Sequence, residues 1–313
     1  MNKKTIFWLA GLVLLLVLPL LVKSNYILGV LIVTGLYAIV VTGLGFLMGY
    51  AGQVSFGHAA FFGLGGYAVA VLTTAWHWPA PVALLVALIL PGLVAALIGG
   101  PALKLKELHL VLATLAFGIL VHILFNEVRP LTGGPSGLTG IPYFSLGGLV
   151  FDRDIKFYYL TLVVLMLVSL SARNLISSRV GRAMRAIRES EHAAETSGIN
   201  TAGLKLQAFI FSAVLAGLAG GLYAFYVTFV SPSPFGFQTS VQFVLMAVVG
   251  GLGTVWGPLL GAGLVVFLGE VLRWAIPLAI PGAGGEYQII FFGIILVLIM
   301  IFKSFKQGGF SKC

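Results

Sequence analysis

The chain has 313 residues, of which 59% are hydrophobic and only 9% charged, against about 25% charged in an ordinary soluble domain, so a soluble globular protein is excluded. Its formal net charge of +9 does not mark a nucleic-acid binder, because the basic residues sit in short segments between apolar runs, where they act as topology signals. The single cysteine, Cys313, excludes an intrachain disulfide framework and a zinc site of several thiolates.

A helix crosses the hydrocarbon core with about 20 apolar residues, and the apolar runs of this chain predict about ten crossings. The first runs from about Thr5 to Val22. Its Lys3/Lys4 start resembles a signal peptide, but no small-x-small cleavage site precedes the next apolar run and the core is long enough to span, so an uncleaved helix is expected. The second covers about Tyr26–Met48, the third Ser55–Ala75, the fourth Pro81–Gly99 and the fifth His109–Val128. A polar stretch follows, then the sixth at about Phe157–Ala172, a basic segment, and the seventh at about Leu206–Val230. The eighth, about Val241–Gly251, is short and glycine-broken; the ninth is about Pro258–Ile276 and the tenth about Tyr287–Phe302.

An even number of crossings puts both termini on one side. With both termini cytoplasmic, that side collects 13 basic residues and the outer side keeps 5, namely Lys23, Arg129, Arg153, Lys156 and Arg273, as the excess of Lys and Arg in cytoplasmic segments requires. The expected fold class is therefore all-α, a polytopic transmembrane helix bundle forming one domain over 1–313, since only helices or closed barrels satisfy the backbone in lipid and the runs lack barrel alternation. Crossings 2–5 and 7–10 then have opposite topology, the arrangement of an inverted repeat.

The longest cytoplasmic stretch, within 174–205, is "SSRVGRAMRAIRESEHAAETSGINTAGLK". On one helix, Val180, Ala183, Met184, Ile187, Ala194 and Gly198 share a face, while Arg182, Arg185, Arg188, Glu189, His192 and Glu195 crowd the other. Arg185 and Glu189 are spaced to pair. Gly198 suits a C-terminal cap, and Thr201 an N-terminal cap for the next helix. Two readings stand side by side: a basic amphipathic helix lying on anionic headgroups, and a docking helix for a cytoplasmic partner.

Within the membrane, Gly45/Gly49, Ala213/Gly217/Gly221 and Gly253/Gly257/Gly261 form small-xxx-small series that let helices approach closely. Polar side chains at membrane depth face either a pathway or a neighbouring helix. Those marked here are Gln53, Ser55 and His58 in "GYAGQVSFGHAAFFGLGGY", His122, Asn126 and Glu127 in the fifth crossing, Gln242 at the start of the eighth and Glu270 in the ninth. "GLGGYA" matches a relaxed dinucleotide fingerprint, but no acidic residue follows at the required distance. No G-x-x-x-x-G-K-[ST] is present, and His58, His77, His109, His122 and His192 show no H-E-x-x-H spacing. Nucleotide binding, metal binding and catalysis are not expected in this chain.

"RAMRAIRESEHAAETSGINTAGLKLQAFIFSAVLAGLAGGLYA" resembles the cytoplasmic loop and following helix of branched-chain amino acid ABC importer permeases. "GYAGQVSFGHAAFFGLGGYA", "LTGGPSGLTGIP" and "VVGGLGTVWGPLLGA" resemble three other stretches of that family, in the same order from Tyr26 onward. The resemblance implies a permease subunit in a bacterial inner membrane, surrounded by lipid. It also implies a second permease, two cytoplasmic ATPases that bind ATP-Mg, and an external solute-binding protein. It places an E-A-A-x-x-x-G docking pattern at Ala193, Ala194 and Gly198, with His192 at the glutamate position and Glu191 one place earlier, beside Arg182, Arg185, Arg188 and Glu189. Urea, amide or sugar importers share the architecture. A stand-alone secondary transporter or channel would couple through intramembrane acids, and Glu127 and Glu270 are too few to favour it.

Overall fold

The computed structural model describes residues 15–19, 24–102, 107–254, 256–279 and 293–294. Apart from two short helical pieces, the first and tenth crossings, both termini, and Lys104 and Lys106 lie outside the described residues. The helices in order are α1 (Asn25–Tyr50), α2 (His58–Thr74), α3 (Ala80–Ala102), α4 (Glu107–Glu127) and the single turn α5 (Arg129–Thr132). They continue with α6 (Asp154–Ser177), α7 (Arg179–Glu189), α8 (Glu191–Thr196), α9 (Thr201–Val227), α10 (Phe237–Gly250) and α11 (Gly257–Ala279).

Among the described residues, six helices, α1, α3, α4, α6, α9 and α11, carry spans of 19 to 27 residues that are long and apolar enough to cross a membrane. Two apolar helices are shorter, α2 with 17 residues and α10 with 14. The chain is mostly helical, with one departure from an all-helical expectation. Four two-residue strands, β1 (Leu138–Thr139), β2 (Ser145–Leu146), β3 (Leu149–Val150) and β4 (Phe229–Val230), form the antiparallel pairs β1–β4 and β2–β3 at the end of the bundle opposite α7 and α8.

Exposed apolar stripes identify the faces turned to lipid or to another membrane subunit. On α11 they are Leu260, Leu264, Phe267, Val271 and Trp274, and on α3 they are Leu85, Ile89, Leu93 and Leu97, recurring every three or four residues as one helix face does.

The interior is organised by α9, which packs on α1, α2 and α3, while α1 packs on α10 and α11; α2 touches α3 and α10, and α10 lies on α11. Lipid offers no hydrophobic drive for helices to associate, so close approach must supply the attraction. Glycine makes that approach here. A Cβ added at Gly220 would stand 1.8 Å from the Phe62 carbonyl oxygen, one at Gly65 would stand 2.0 Å from that of Gly217, and one at Gly217 2.4 Å from that of Ala87. Gly221 lies against Ala87, with 2.9 Å available. The α10–α11 contact repeats the device: an added Cβ at Gly261 meets the Met246 carbonyl oxygen at 1.9 Å and one at Gly257 meets that of Gly251 at 2.5 Å. Gly253 differs from its expected packing role, because a Cβ there meets nothing within 4 Å and its φ of +84° makes it a turn residue between the two helices.

Candidate functional site

The stretch "GYAGQVSFGH" is where α1 stops and α2 begins. Gly52 takes φ +70°, a left-handed conformation that carries little penalty only for glycine, and the Leu47 carbonyl accepts from the amides of both Ala51 and Gln53. Residues 51–57 then run irregularly before α2 starts at His58 rather than at the expected Ser55. Irregular backbone within a membrane bundle must find internal partners, and here they are hydroxyls. The Phe56 amide donates to Thr114 Oγ1 at 3.2 Å, the Gly57 amide to Ser55 Oγ at 3.4 Å, and the Ala59 amide to Ser240 Oγ at 3.0 Å. The amides of Ala60 and Phe61 reach the Gly57 carbonyl. The start of α2 is thereby tied to α4 through Thr114 and to α10 through Ser240.

His58 is completely buried. Its Nε2 lies 3.1 Å from Ser212 Oγ on α9 and its Nδ1 lies 3.2 Å from Ser55 Oγ. Ser212 also donates to the Phe209 carbonyl at 2.9 Å, an arrangement in which Nε2 carries the hydrogen that Ser212 accepts. An unpaired charge is not buried at this depth; the ring is therefore neutral, and Nδ1 accepts from Ser55. The result is a hydrogen-bond chain from Ser55 through His58 to Ser212 with every ring nitrogen satisfied. Gln53 differs, since its side-chain Oε1 is buried without a partner among the described residues. Of the three side chains marked in this stretch, two meet each other and α9, and the third is unsatisfied.

At the α7–α8 end, the single amphipathic helix expected over the basic segment is two helices. Ser190, at φ −160° and ψ 108°, ends α7 and caps α8 by accepting from the Ala193 amide at 3.3 Å. A serine hydroxyl competes for nearby amides, which favours a cap over a helix interior. Gly181, Met184, Ile187 and Ala194 are buried, while Ala193 and Gly198 are exposed. Gly198 takes φ +80°, and the Ile199 amide bonds to the Ala194 carbonyl and the Gly198 amide to that of Glu195, the paired bonds of a Schellman cap. The cap of α9 is Asn200, which accepts from the Gly203 amide at 2.9 Å, rather than Thr201, whose hydroxyl donates to Glu195 at 2.8 Å.

Arg182, Arg185, Arg188, Glu189, His192 and Glu195 are all exposed, as their shared face predicts, and several of them also reach partners. Arg185 and Glu189 form no ion pair among the described residues. Arg185 lies over the Tyr50 ring, 6.0 Å from its centroid. Arg188 donates to the Gly49 carbonyl, and Tyr50 donates its hydroxyl to the Gly253 carbonyl at 2.6 Å. Arg182 caps the Ser177 carbonyl at 3.1 Å. Glu191 pairs with Lys205, and Glu189 and His192 are exposed.

His122 and Asn126 lie on α4 toward the opposite end, away from His58. Asn126 bonds back to the His122 carbonyl at 2.8 Å, and His122 Nδ1 is buried without a partner among the described residues, beside Gly236 at the start of α10. Gln242 is half-buried on α10. The structure thus brings Ser55 and His58 together, joins neither to His122, and adds Ser212, Ser240, Thr114 and Tyr50, which the sequence reading missed. A lone hydroxyl such as Ser212 in the apolar run of α9 was a signal that could have been used. Among the described residues no group of three His, Cys, Asp or Glu stands close enough to hold a metal.

Residues 26–300 match the family described as branched-chain amino acid transport system, permease component. The high-affinity branched-chain amino acid transport system permease protein LivM of Salmonella typhimurium is 32% identical, across 96% of this chain and 74% of its own length. LivM of Escherichia coli is similar to the same extent, 32% identical across 96% and 74%. The permease protein LivH of Escherichia coli is 29% identical across 41% of this chain and 39% of its own. No solved structure matches the chain.

Proposed function

The chain belongs to the family of branched-chain amino acid transport permeases, and from that premise we propose that its interrupted helices line the solute pathway of an ATP-driven importer. It is a multi-pass membrane protein and a permease subunit, a transport component and not an enzyme. The observation that carries the function is the family match over residues 26–300. The solute is a branched-chain amino acid and the membrane is the inner membrane of a bacterial cell. A second permease completes the pathway, in keeping with relatives that carry two different permease names, LivM and LivH. Two cytoplasmic ATPases bind ATP-Mg, and an external binding protein delivers the solute.

The eight apolar helices among the described residues, with the first and tenth apolar runs, make ten crossings with both termini cytoplasmic. An inverted repeat pairs α1, α2 and α3 with α9, α10 and α11. It is supported by packing that survives the exchange: α9 on α2 answers α1 on α10, α9 on α3 answers α1 on α11, and α2 on α3 answers α10 on α11. The two short helices, α2 and α10, then hold corresponding positions, which is where transporters of this design place their sites. Gln53, Ser55, His58 and Gln242 are the pathway groups nearest that position, with His122 and Asn126 toward the outer mouth. With His58 saturated, passage requires α2 and α9 to part. The segment 174–205, with α7 and α8, docks on the ATPase through the exposed Arg182, Glu189, Glu191, Ala193 and Gly198.

The test is reconstitution of the permease pair with its ATPases and binding protein in liposomes, followed by uptake of labelled leucine, isoleucine and valine. The expected result is saturable uptake that requires ATP and the binding protein. Uptake by this chain alone without ATP, or uptake of urea but of none of the three amino acids, overturns the reading.

A further inference from the structure

Two of the exposed arginines beside the expected docking pattern also reach the end of α1. Arg188 crosses from α7 to donate to the carbonyl of Gly49, in the last turn of α1. The last four carbonyls of a helix lack intrahelical partners and carry partial negative charge. Here α1 has no basic residue of its own in that turn, and the chain turns back to the Leu47 carbonyl instead, so the guanidinium supplies what the helix lacks. Arg185 lies over Tyr50, the next residue, at the outer limit of a cation–π contact. Tyr50 holds the Gly253 carbonyl at 2.6 Å, and a Cβ added at Gly49 would stand 2.6 Å from the Gly253 amide nitrogen. Gly49 and Tyr50 therefore touch three things at once: α7, the turn between α10 and α11, and the 51–57 break that leads to His58.

We infer that Arg188, reinforced by Arg185, is a positioning residue that transmits motion of the α7–α8 segment to the end of α1, and thence to the 51–57 break and the 251–254 turn. The inference rests on the permease reading above, in which an ATPase moves α7 and α8. A charge-assisted hydrogen bond to a backbone carbonyl suits the task, because it is about twice as strong as one between neutral groups.

The experiment is hydrogen exchange on the full complex in lipid nanodiscs, with and without ATP plus vanadate, so that no solute is involved. In the wild type the nucleotide alters exchange both at 179–198 and at 50–57. Arg188→Gln keeps the response at 179–198 and reduces that at 50–57 about fivefold or more, the lower end of energetic coupling between sites. Arg188→Lys, which keeps a cation in reach of the carbonyl, restores part of it. Tyr50→Phe leaves both arginines in place, and keeps the response at 50–57 while diminishing that at 251–254. A full response at 50–57 in Arg188→Gln overturns the inference, and so does loss of the 179–198 response together with complex assembly, which marks Arg188 as a docking residue. A wild type that responds at 179–198 but not at 50–57 overturns the inference alone. A wild type silent at 179–198 overturns the docking reading beneath it.

Discussion

Gly220→Ala adds one methyl group where, among the described glycines, an added Cβ would come closest to backbone. The new Cβ would stand 1.8 Å from the Phe62 carbonyl oxygen and 3.1 Å from the Gly66 amide nitrogen, where Cβ contacts under 3.0 Å are essentially never found. Backbone cannot swing aside as a side chain can, so α9 and α2 must separate locally by about 1.2 Å, a shift of the kind that makes overpacked sites cost about 1–3 kcal/mol. Phe62 is one turn from His58 on α2, and Ser212 is 3.1 Å from His58 Nε2. A similar displacement carried along α2 takes that bond beyond hydrogen-bonding range, leaving a buried N–H unpaired at a further cost of about 1–3 kcal/mol. The assay is thermal stability of the purified protein in detergent, followed by size exclusion, with Gly263→Ala as the matched control. Gly263 is also helical, but a Cβ there meets nothing within 4 Å. The expected order is wild type equal to Gly263→Ala, with Gly220→Ala clearly less stable. Gly220→Ala as stable as Gly263→Ala would refute the reasoning that backbone contact holds α9 to α2.

Ser212→Ala removes the acceptor for His58 Nε2–H without changing the helix contact, and should destabilise by about 1–3 kcal/mol in the same assay; equal stability would mean that the imidazole has another partner. Gly198→Ala forces a side chain into the left-handed cap that ends α8, at a cost of about 1–2 kcal/mol, and hydrogen exchange should show faster exchange confined to 191–199. Asn200→Ala removes the cap of α9 and should cost about 0.5–2 kcal/mol, seen as faster exchange of the Gly203 amide with the rest of α9 unchanged.

The helices long enough to span were legible because a long apolar run without barrel alternation can satisfy its backbone in lipid only as a helix. Gly198 was legible for a related reason, since a glycine after an amphipathic stretch is the cheapest left-handed residue. Ser190 was not, because a serine between charged residues reads equally well as a solvent-facing helix position, and only its φ of −160° shows that it is a cap. The period of α7 puts Arg185 and Arg188 on its exposed row, where the structure has them, but says nothing of what they reach. Their targets, Tyr50 and the Gly49 carbonyl, are more than 130 residues away, beyond any local pattern. His58 stands out in the sequence as a polar group within an apolar stretch, but its partner Ser212 lies 154 residues along the chain, and one sequence gives no means of pairing the two.

The neutrality of His58 bears on what the proposed pathway can carry. A zwitterionic amino acid presents both charges, and a fixed imidazolium would hold its carboxylate in a low-dielectric interior where such attraction is strong. A route must bind weakly enough to release, so a charged ring would trap the solute that a neutral one lets pass. The bonds to Ser55 and Ser212 occupy both ring nitrogens. In the proposed transition, in which α2 parts from α9, a neutral ring would need only another acceptor in place of Ser212 and no change of charge. The glycine contacts sharpen the same transition: with carbonyl oxygens where a Cβ would be, at 1.8 to 2.4 Å, no rotamer is available to cushion an intermediate spacing. Close-packed interfaces of this kind tend to occupy discrete arrangements rather than deform continuously. A carrier of the proposed kind, exposing its solute to one side at a time, would draw that discreteness from the absence of side chains at these contacts.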